Sequence, residues 1–409
     1  MPACTGLCTA CPGSKPAMQT ESDILILGGG CAGLSLALKL AAVGENCPST
    51  VILESRSHYS NDRTWCFWDD GSAYLRELVQ HRWPVVTLAH AGRRINVDCH
   101  TIPYAMIPAE NFYAYATEKL AETSRVTLAM NEPVIGEPRK EGGLWKVETR
   151  GGSRWAKRLI DTRPQRMPER GAAVLWQSFY GHEIECDADS FDPGVARLMD
   201  FSPSKNGRIT FLYLLPISPR RALVEVTVLA PDPLGPEDLA EELAAFIRQQ
   251  AGGLSHAVLR AEHGVLPMGQ AALDRGTDDS HVRVGVAAGA ARAASGFAFQ
   301  RIQRWATACA AQLIAGQPPL SHPPDPWITR SMDALFLRVL RAHPERAPEL
   351  FLALFAIQDP RRVIRFMSDH AAMADYAAII LALPPCLFLR EIPQALRPRP
   401  SLRKGELSG

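Results

Sequence analysis

The chain has no long apolar run, no surplus of one charge and no internal repeat. None of its apolar runs reaches the roughly 18–20 residues that a bilayer-crossing helix needs. The first residues carry no apolar core of the kind that marks a secretory signal, so the expectation is a cytoplasmic protein. Lys and Arg total 44 against 43 Asp and Glu, a net charge of +1. Without a basic excess there is no electrostatic footprint for nucleic acid, and no such partner is expected. What is present is bulk: 409 residues, 46% of them apolar. That is enough for two or three domains, or one large α/β body, around a sizeable core.

Ten cysteines fall into two groups. Cys31, Cys47, Cys66, Cys99, Cys186, Cys309 and Cys386 are scattered. In a cytosolic α/β protein such residues are mostly small buried apolar groups. Cys4, Cys8 and Cys11 have the Cys-x3-Cys-x2-Cys spacing of a radical-SAM cluster loop. That loop follows a strand inside a large barrel. Here no strand precedes it, and it runs directly into Gly13-Ser-Lys-Pro16. Residues 1–20 are therefore read as a flexible leader, and no metal site is expected.

The strongest local signal is Asp23-Ile-Leu-Ile-Leu-Gly-Gly-Gly-Cys-Ala-Gly33. An apolar strand feeds into Gly28-x-Gly30-x-x-Gly33, and a helical pattern follows from Leu34. That order is the dinucleotide-binding fingerprint. Gly28 permits the tight turn, Gly30 lets backbone approach a pyrophosphate, and Gly33 lets helix and strand pack closely. The helix N-terminus offers free N–H groups to phosphate. A second apolar run, Thr50–Leu53, ends at Glu54, where an acid holds a ribose hydroxyl. A late strand, His281-Val-Arg-Val, runs into small residues at Gly285 and Gly289, then Gly296 and Phe297, before another helix. It reads as a second return to the nucleotide site.

Other segments suggest the remaining organisation. Helices are expected near 109–123 and 236–247, the second with an acidic first turn. Leu144–Thr149 alternates as a half-buried strand. Phe211–Pro216 and Arg221–Leu229 read as a hairpin joined by Ile217-Ser-Pro-Arg220. The cluster Asn61-Asp-Arg-Thr-Trp-Cys-Phe-Trp68 is too polar for a plain core strand; it fits a binding wall and a structural loop over the nucleotide equally. From 331 the chain turns helical and apolar, and Tyr376–Leu383 stops at Pro384-Pro385. That run is too short to span a bilayer, but suits an apolar tunnel or a membrane face as well as a core. The tail carries Arg390, Arg397, Arg399, Arg403 and Lys404, which fit anionic lipid or plain solvation. The expected division is a nucleotide domain at 21–125 and 265–330, a sheet-rich substrate domain at 126–264, an apolar helical region at 331–395 and a basic tail at 396–409.

Several blocks together resemble bacterial lycopene β-cyclases of the CrtY type. They are Asn61–Trp68 with His81-Arg-Trp-Pro84, and Trp176-Gln-Ser-Phe-Tyr-Gly181 with Phe191-Asp-Pro193 and Leu198-Met-Asp-Phe201. Phe211–Pro216 with Arg221-Ala-Leu-Val-Glu225, Glu262-His-Gly-Val-Leu-Pro-Met268 and Arg365-Phe-Met-Ser-Asp369 complete the set. They run in order over about 22–395. The resemblance implies an α/β flavoprotein of the hydroxylase-like type: a Rossmann-type FAD-binding domain, a sheet-rich substrate domain and a helical C-terminal region. It implies Gly28, Gly30, Gly33, Glu54, Gly285, Gly289 and Gly296 as cofactor contacts, and Trp65, Trp68 and Phe297 as substrate contacts. It further implies reduced FAD, NAD(P)H as its reductant, and lycopene as substrate at a membrane surface. The activity implied is closure of linear ψ-ends into β-rings with no net redox change, an intramolecular lyase or isomerase reaction.

Such a cyclisation needs an acid to protonate a terminal double bond. A carboxyl group in an apolar pocket suits it, because desolvation raises its pKa. Glu225 is the candidate, an acid out of pattern among Leu223, Val224, Val226 and Val228. Alternation puts it on the same face as Leu223, which makes a merely solvated Glu225 awkward. Three departures stand out. The family commonly has an acid directly after this Glu, where this chain has Val226. Its Pro-Thr-Gly-Tyr block reads Ala294-Ser-Gly-Phe297, and Thr162 stands where a Gly is favoured. A flavin monooxygenase or polyprenyl reductase on the same fold, and an inactive carotenoid-binding homologue, are the alternatives.

Overall fold

The structure, a computed structural model, describes residues 20–71, 73–164, 173–204, 206–269 and 278–395. Cys4, Cys8, Cys11 and the tail residues Arg397, Arg399, Arg403 and Lys404 lie outside the described residues. Ile24, Leu25, Ile26 and Leu27 have no exposed surface at all. A run apolar on both faces is what a parallel strand covered on two sides requires.

The chain begins β1 (Thr20–Leu27), α1 (Cys31–Ala41), β2 (Thr50–Leu53), β3 (Thr64–Trp68), β4 (His81–Trp83), β5 (Val85–His90), β6 (Arg93–Asp98), β7 (Tyr104–Pro108) and α2 (Ala109–Ala121). It continues β8 (Val126–Ala129), β9 (Val134–Glu141), β10 (Leu144–Thr149), β11 (Gly152–Asp161), β12 (Leu175–Cys186), β13 (Val195–Phe201), β14 (Ile209–Pro216), β15 (Arg221–Ala230) and α3 (Pro236–Gln250). The last part is β16 (His256–Met268), β17 (His281–Arg283), α4 (Phe299–Ile314), α5 (Trp327–Ala342), α6 (Ala347–Phe355), α7 (Pro360–Met367), α8 (Met373–Ala382) and α9 (Pro385–Ala395).

The first sheet has the order β8-β2-β1-β11-β10-β9, with β17 also paired to β11. Its β8, β2, β1, β11 and β17 are parallel, and β10 and β9 return antiparallel. Ile24 and Ile26 face α1, α2 and α4, while Leu25 and Leu27 cluster on the other side with Trp145 and Val147 of β10. The second sheet has the order β16-β12-β15-β14-β13-β5-β6. Val224, Val226 and Val228 of β15 pack against Leu239, Leu243 and Ile247 of α3. Leu223 and Leu229 join the core shared with the C-terminal helices α5 to α8. A small sheet, β3-β7-β4, carries Trp65, Trp68 and Tyr104.

The sheets draw from both sides of residue 125. β8 to β11 belong to the nucleotide sheet, and β5 and β6 to the second sheet. Alternation in Leu144–Thr149 shows a strand but says nothing of its partner. The partner is fixed by β11 lying parallel to β1, with Leu27 opposite Asp161. The seven described cysteines are free; four are buried and Cys386 is exposed.

Two glycines of α1's entry separate packing from ligand approach. A Cβ on Gly33 would lie 2.1 Å from the Gly28 carbonyl oxygen, whereas one on Gly30 would meet nothing within 4 Å among the described residues. Gly30 has an ordinary φ of −82°. Gly33→Ala should therefore cost about 1–3 kcal/mol through overpacking and lower Tm visibly. Gly30→Ala should leave Tm unchanged. Thermal unfolding of the two variants checks the difference.

Candidate active site

One cavity of about 1130 Å³ touches both halves of the molecule. Part of its wall is the glycine turn: Gly28, Gly30, Cys31 and Ala32, with Glu54, Arg56, Arg63 and Gly285. Gly28 has φ +99°, the left-handed conformation a non-glycine residue resists. Thr162, where the resembling family favours glycine, donates its hydroxyl to the Leu27 and Gly28 carbonyls at 2.9 Å each. The departure therefore ties down the turn.

Glu54 accepts from the Gly29 N–H at 2.8 Å and from Arg56. Burial opposes its charge, but the bonds from Arg56 and Gly29 outweigh it and hold the carboxyl below its ordinary range. The Arg56 guanidinium lies 4.8 Å from the Tyr59 ring centroid. Open space at Gly30, a helix N-terminus with no side-chain cap, and Arg56 and Arg63 on the wall fit a pyrophosphate. Gly33 does not line the cavity; it supports the turn from behind. Gly289, with φ +93°, also stays off the wall, whereas Gly296 reaches it.

Further along, the wall is strand β15. Glu225, Thr227 and Leu229 face the cavity, as alternation with Leu223 requires. Glu225 is only 6% exposed. Thr227 Oγ1 donates to its Oε1 at 2.8 Å. Burial is the main reason that its carboxyl is pushed up to about 8; Glu262 nearby adds repulsion, while Thr227 and Arg260 pull the other way. An acid so held keeps its proton near neutral pH. Val226 points to the opposite face, into the apolar layer under α3.

The three aromatic candidates all line the cavity. Trp65 stacks on Phe299 at 5.3 Å and meets Phe112 edge-on at 5.4 Å, so it belongs with the nucleotide-side helices. Trp68 lies 4.9 Å from Tyr104, and its buried indole N–H has no hydrogen-bond partner among the described residues. Phe297 packs against the C-terminal core.

Sequence reasoning did not nominate Glu262, Tyr213, Tyr104 or Arg292. Tyr213 stands opposite Glu225, and its hydroxyl meets that of Tyr104 at 2.9 Å. Arg292 makes two 3.0 Å bonds to Asp333, and both are buried. It fastens the loop after β17 to α5. One signal was legible: Gly181 inside a strand pattern marks a close approach, and its Cβ would come within 3.0 Å of Glu225 Cβ.

Another stretch of the cavity wall is apolar. Met332, Phe336, Phe351, Ile379, Leu383 and Phe388 come from the C-terminal helices. Ile380 and Leu389 both line the cavity and are 55% and 62% exposed, so they rim an opening.

The fold is the one seen in flavoprotein monooxygenases and reductases. Among solved structures, the chain resembles a geranylgeranyl bacteriochlorophyll reductase-like protein from Thermoplasma acidophilum, with TM-score 0.61 and 13% identity, over 92% of this chain and all of the other. It also resembles the flavin-dependent monooxygenase PieE in complex with FAD and substrate, with TM-score 0.55 and 15% identity, over 92% of this chain and 72% of the other. The family is narrower than the fold. The chain belongs to the lycopene cyclase protein family, whose model matches residues 23–392. It is 27% identical to a lycopene beta-cyclase from Paracoccus sp., over 89% of this chain and 94% of that protein. It is 28% identical to an uncharacterized carotenoid cyclase from Deinococcus radiodurans, over 74% and 73%.

The raised carboxyl carries a stability signature. Between the ordinary value of 4.5 and about 8, the folded chain holds a proton on Glu225 that the unfolded chain has lost. Folding stability contributed by this group therefore falls as pH rises through that window. Glu225→Gln removes the effect, on the order of a few kcal/mol when complete. The variant should gain stability relative to the unsubstituted protein from pH 5 to pH 9, read as the difference in Tm.

Proposed function

We propose that this chain is a lycopene β-cyclase that closes ψ-ends of a linear carotenoid into β-rings without net redox change. The observation that carries this reading is Glu225, a carboxyl buried on the wall of a largely apolar cavity that favours its protonated form. Its proton passes to the terminal double bond and leaves a tertiary carbocation. A neighbouring double bond attacks that centre and closes the ring. Loss of a ring proton sets the β double bond, so the product is an isomer of the substrate. A dry cavity protects the cation from water and strengthens every charge that faces it.

Gly28, Gly30, Glu54 and Gly285 are the residues proposed to hold FAD, with Arg56 and Arg63 beside the phosphates. When bound and reduced by NAD(P)H, the flavin would supply negative charge close to the cation. Expression in a lycopene-accumulating bacterium tests the reading. The unsubstituted chain should yield γ- or β-carotene, and Glu225→Gln should lower ring formation at least about a hundredfold. Persistent lycopene beside soluble, flavin-loaded protein would count against it. Net NAD(P)H consumption with each product would favour a reductase or monooxygenase instead.

Peripheral membrane association on the cytoplasmic side is part of the same proposal. No single described helix is long and apolar enough to cross a membrane. Helices α8 and α9 meet at a 102° bend, and this corner exposes Ile380 (55%), Leu381 (85%) and Leu389 (62%). An apolar rim at the mouth of an apolar cavity suits uptake of a polyene from lipid. Leu381→Glu with Leu389→Glu should reduce co-sedimentation with vesicles severalfold and leave Tm unchanged. Unaltered vesicle binding would remove this corner from the proposal.

A further inference from the structure

Glu225 and Glu262 occupy one row of the second sheet. Gly181 of β12 is the register partner of both, Glu225 on β15 and Glu262 on β16. All three side-chain positions are on one face, because directly opposed residues point the same way. The middle position has no side chain, and a Cβ there would press on Glu225. Gly181 thus leaves a lane over the middle strand, into which the Glu225 side chain leans, between outer backbones about 10 Å apart. Both line the cavity, and both are buried.

Glu262 is held firmly in that row. Thr64 Oγ1 donates to its Oε2 at 2.8 Å, and Arg260 Nη1 donates to the same oxygen. Arg260 also donates to Thr64 at 2.7 Å and to Glu183 at 2.6 Å, and Glu183 pairs with Arg221. The line of alternating charges ends at Glu262, next to Glu225.

The other groups near Glu225 are Tyr213 on β14, Tyr104 on β7, Cys66 on β3 and Thr227 on its own strand. Burial raises both tyrosines well above their ordinary value and pushes Cys66 up to about 12. They stay uncharged at working pH. Beyond this set, Glu262 and Arg260 form an ion pair close by.

We propose that Glu262 is a positioning residue that keeps the proton on Glu225, acting across the lane left open by Gly181. It supplies from β16, two strands away, what an acid at position 226 could not, since Val226 faces α3. The inference rests on Glu225 being the acid of the proposed cyclisation. In that cycle the Glu225 O–H bond breaks as a C–H bond forms on the substrate. A Glu225 anion beside Glu262 is disfavoured, so a proton equal to the one lost from the ring returns to Glu225. No net proton is consumed.

Infrared titration of the full-length, flavin-loaded chain tests this without relying on turnover. The protonated carboxyl band of Glu225 is assigned by its loss in Glu225→Gln. In Glu262→Gln its midpoint should fall by about 1 to 2 pH units, yet stay above an ordinary carboxyl because burial remains. Glu262→Asp, which keeps the charge, should restore it. The alkaline limb of the cyclisation rate should move with the midpoint. Arg260→Gln removes the countercharge and should move the midpoint upward, a direction that keeps the test alive if the Gln variant does not fold. An unmoved midpoint in Glu262→Gln, or no upward shift in Arg260→Gln, would overturn the proposal. Midpoints that shift as expected in a protein forming no ring product would uphold the role of Glu262 and sink the cyclase reading instead.

Discussion

A carboxylic acid withheld from water constrains everything around it. Glu225 can stay dry only if neither face of its strand reaches solvent. One face of β15 is closed by α3 through Val224, Val226 and Val228, and the other by the cavity and the C-terminal core. The strand must also be central, with β12 and β14 pairing its backbone on either side. An edge position would leave N–H and C=O groups unpaired and wet. The same closure that shelters the acid makes any nearby charge strong, because the local dielectric is low.

The two halves of the molecule meet along that cavity, and their junction is polar where it must not slip. Arg292 and Asp333 form a two-bond ion pair, and Arg292 also donates to the Phe366 carbonyl and lies 4.1 Å from the Phe366 ring centroid. A buried pair is tolerated only with such complete geometry, since its desolvation is severe. It locks the Gly285–Phe297 loop to α5 and α7. The nucleotide-side wall and the apolar wall are therefore held in one arrangement, with the acid between them.

Membership of the lycopene cyclase family at about 27% identity to a curated relative raises the question of what this chain has kept. It has the glycine turn, an acid on β15 and a cavity that both of them line. The departures are accommodated by local physics. Thr162 bonds to the turn carbonyls, and Ala294 packs against the C-terminal core. Val226 fills the apolar layer under α3, where a carboxylate would be buried without a partner.

By itself, the sequence determined whatever depends on near neighbours along the chain. The order of strand, glycine turn and helix at 23–40 was legible because each residue there answers a local requirement. The face of β15 that carries Glu225 was legible because strand alternation has a period of two, and the hairpin 211–229 because its turn is short. Pairing between distant strands was decided by the tertiary structure alone. Nothing local joins β11 to β1 or sets β12 between β15 and β16. Glu262 and Thr64, 198 residues apart, meet only because sheet register and a small third sheet bring them together. The apolar mouth at α8 and α9 was undecided for the same reason. An amphipathic run states that a face must be covered, and only packing against the rest of the chain reveals which side chains are left uncovered.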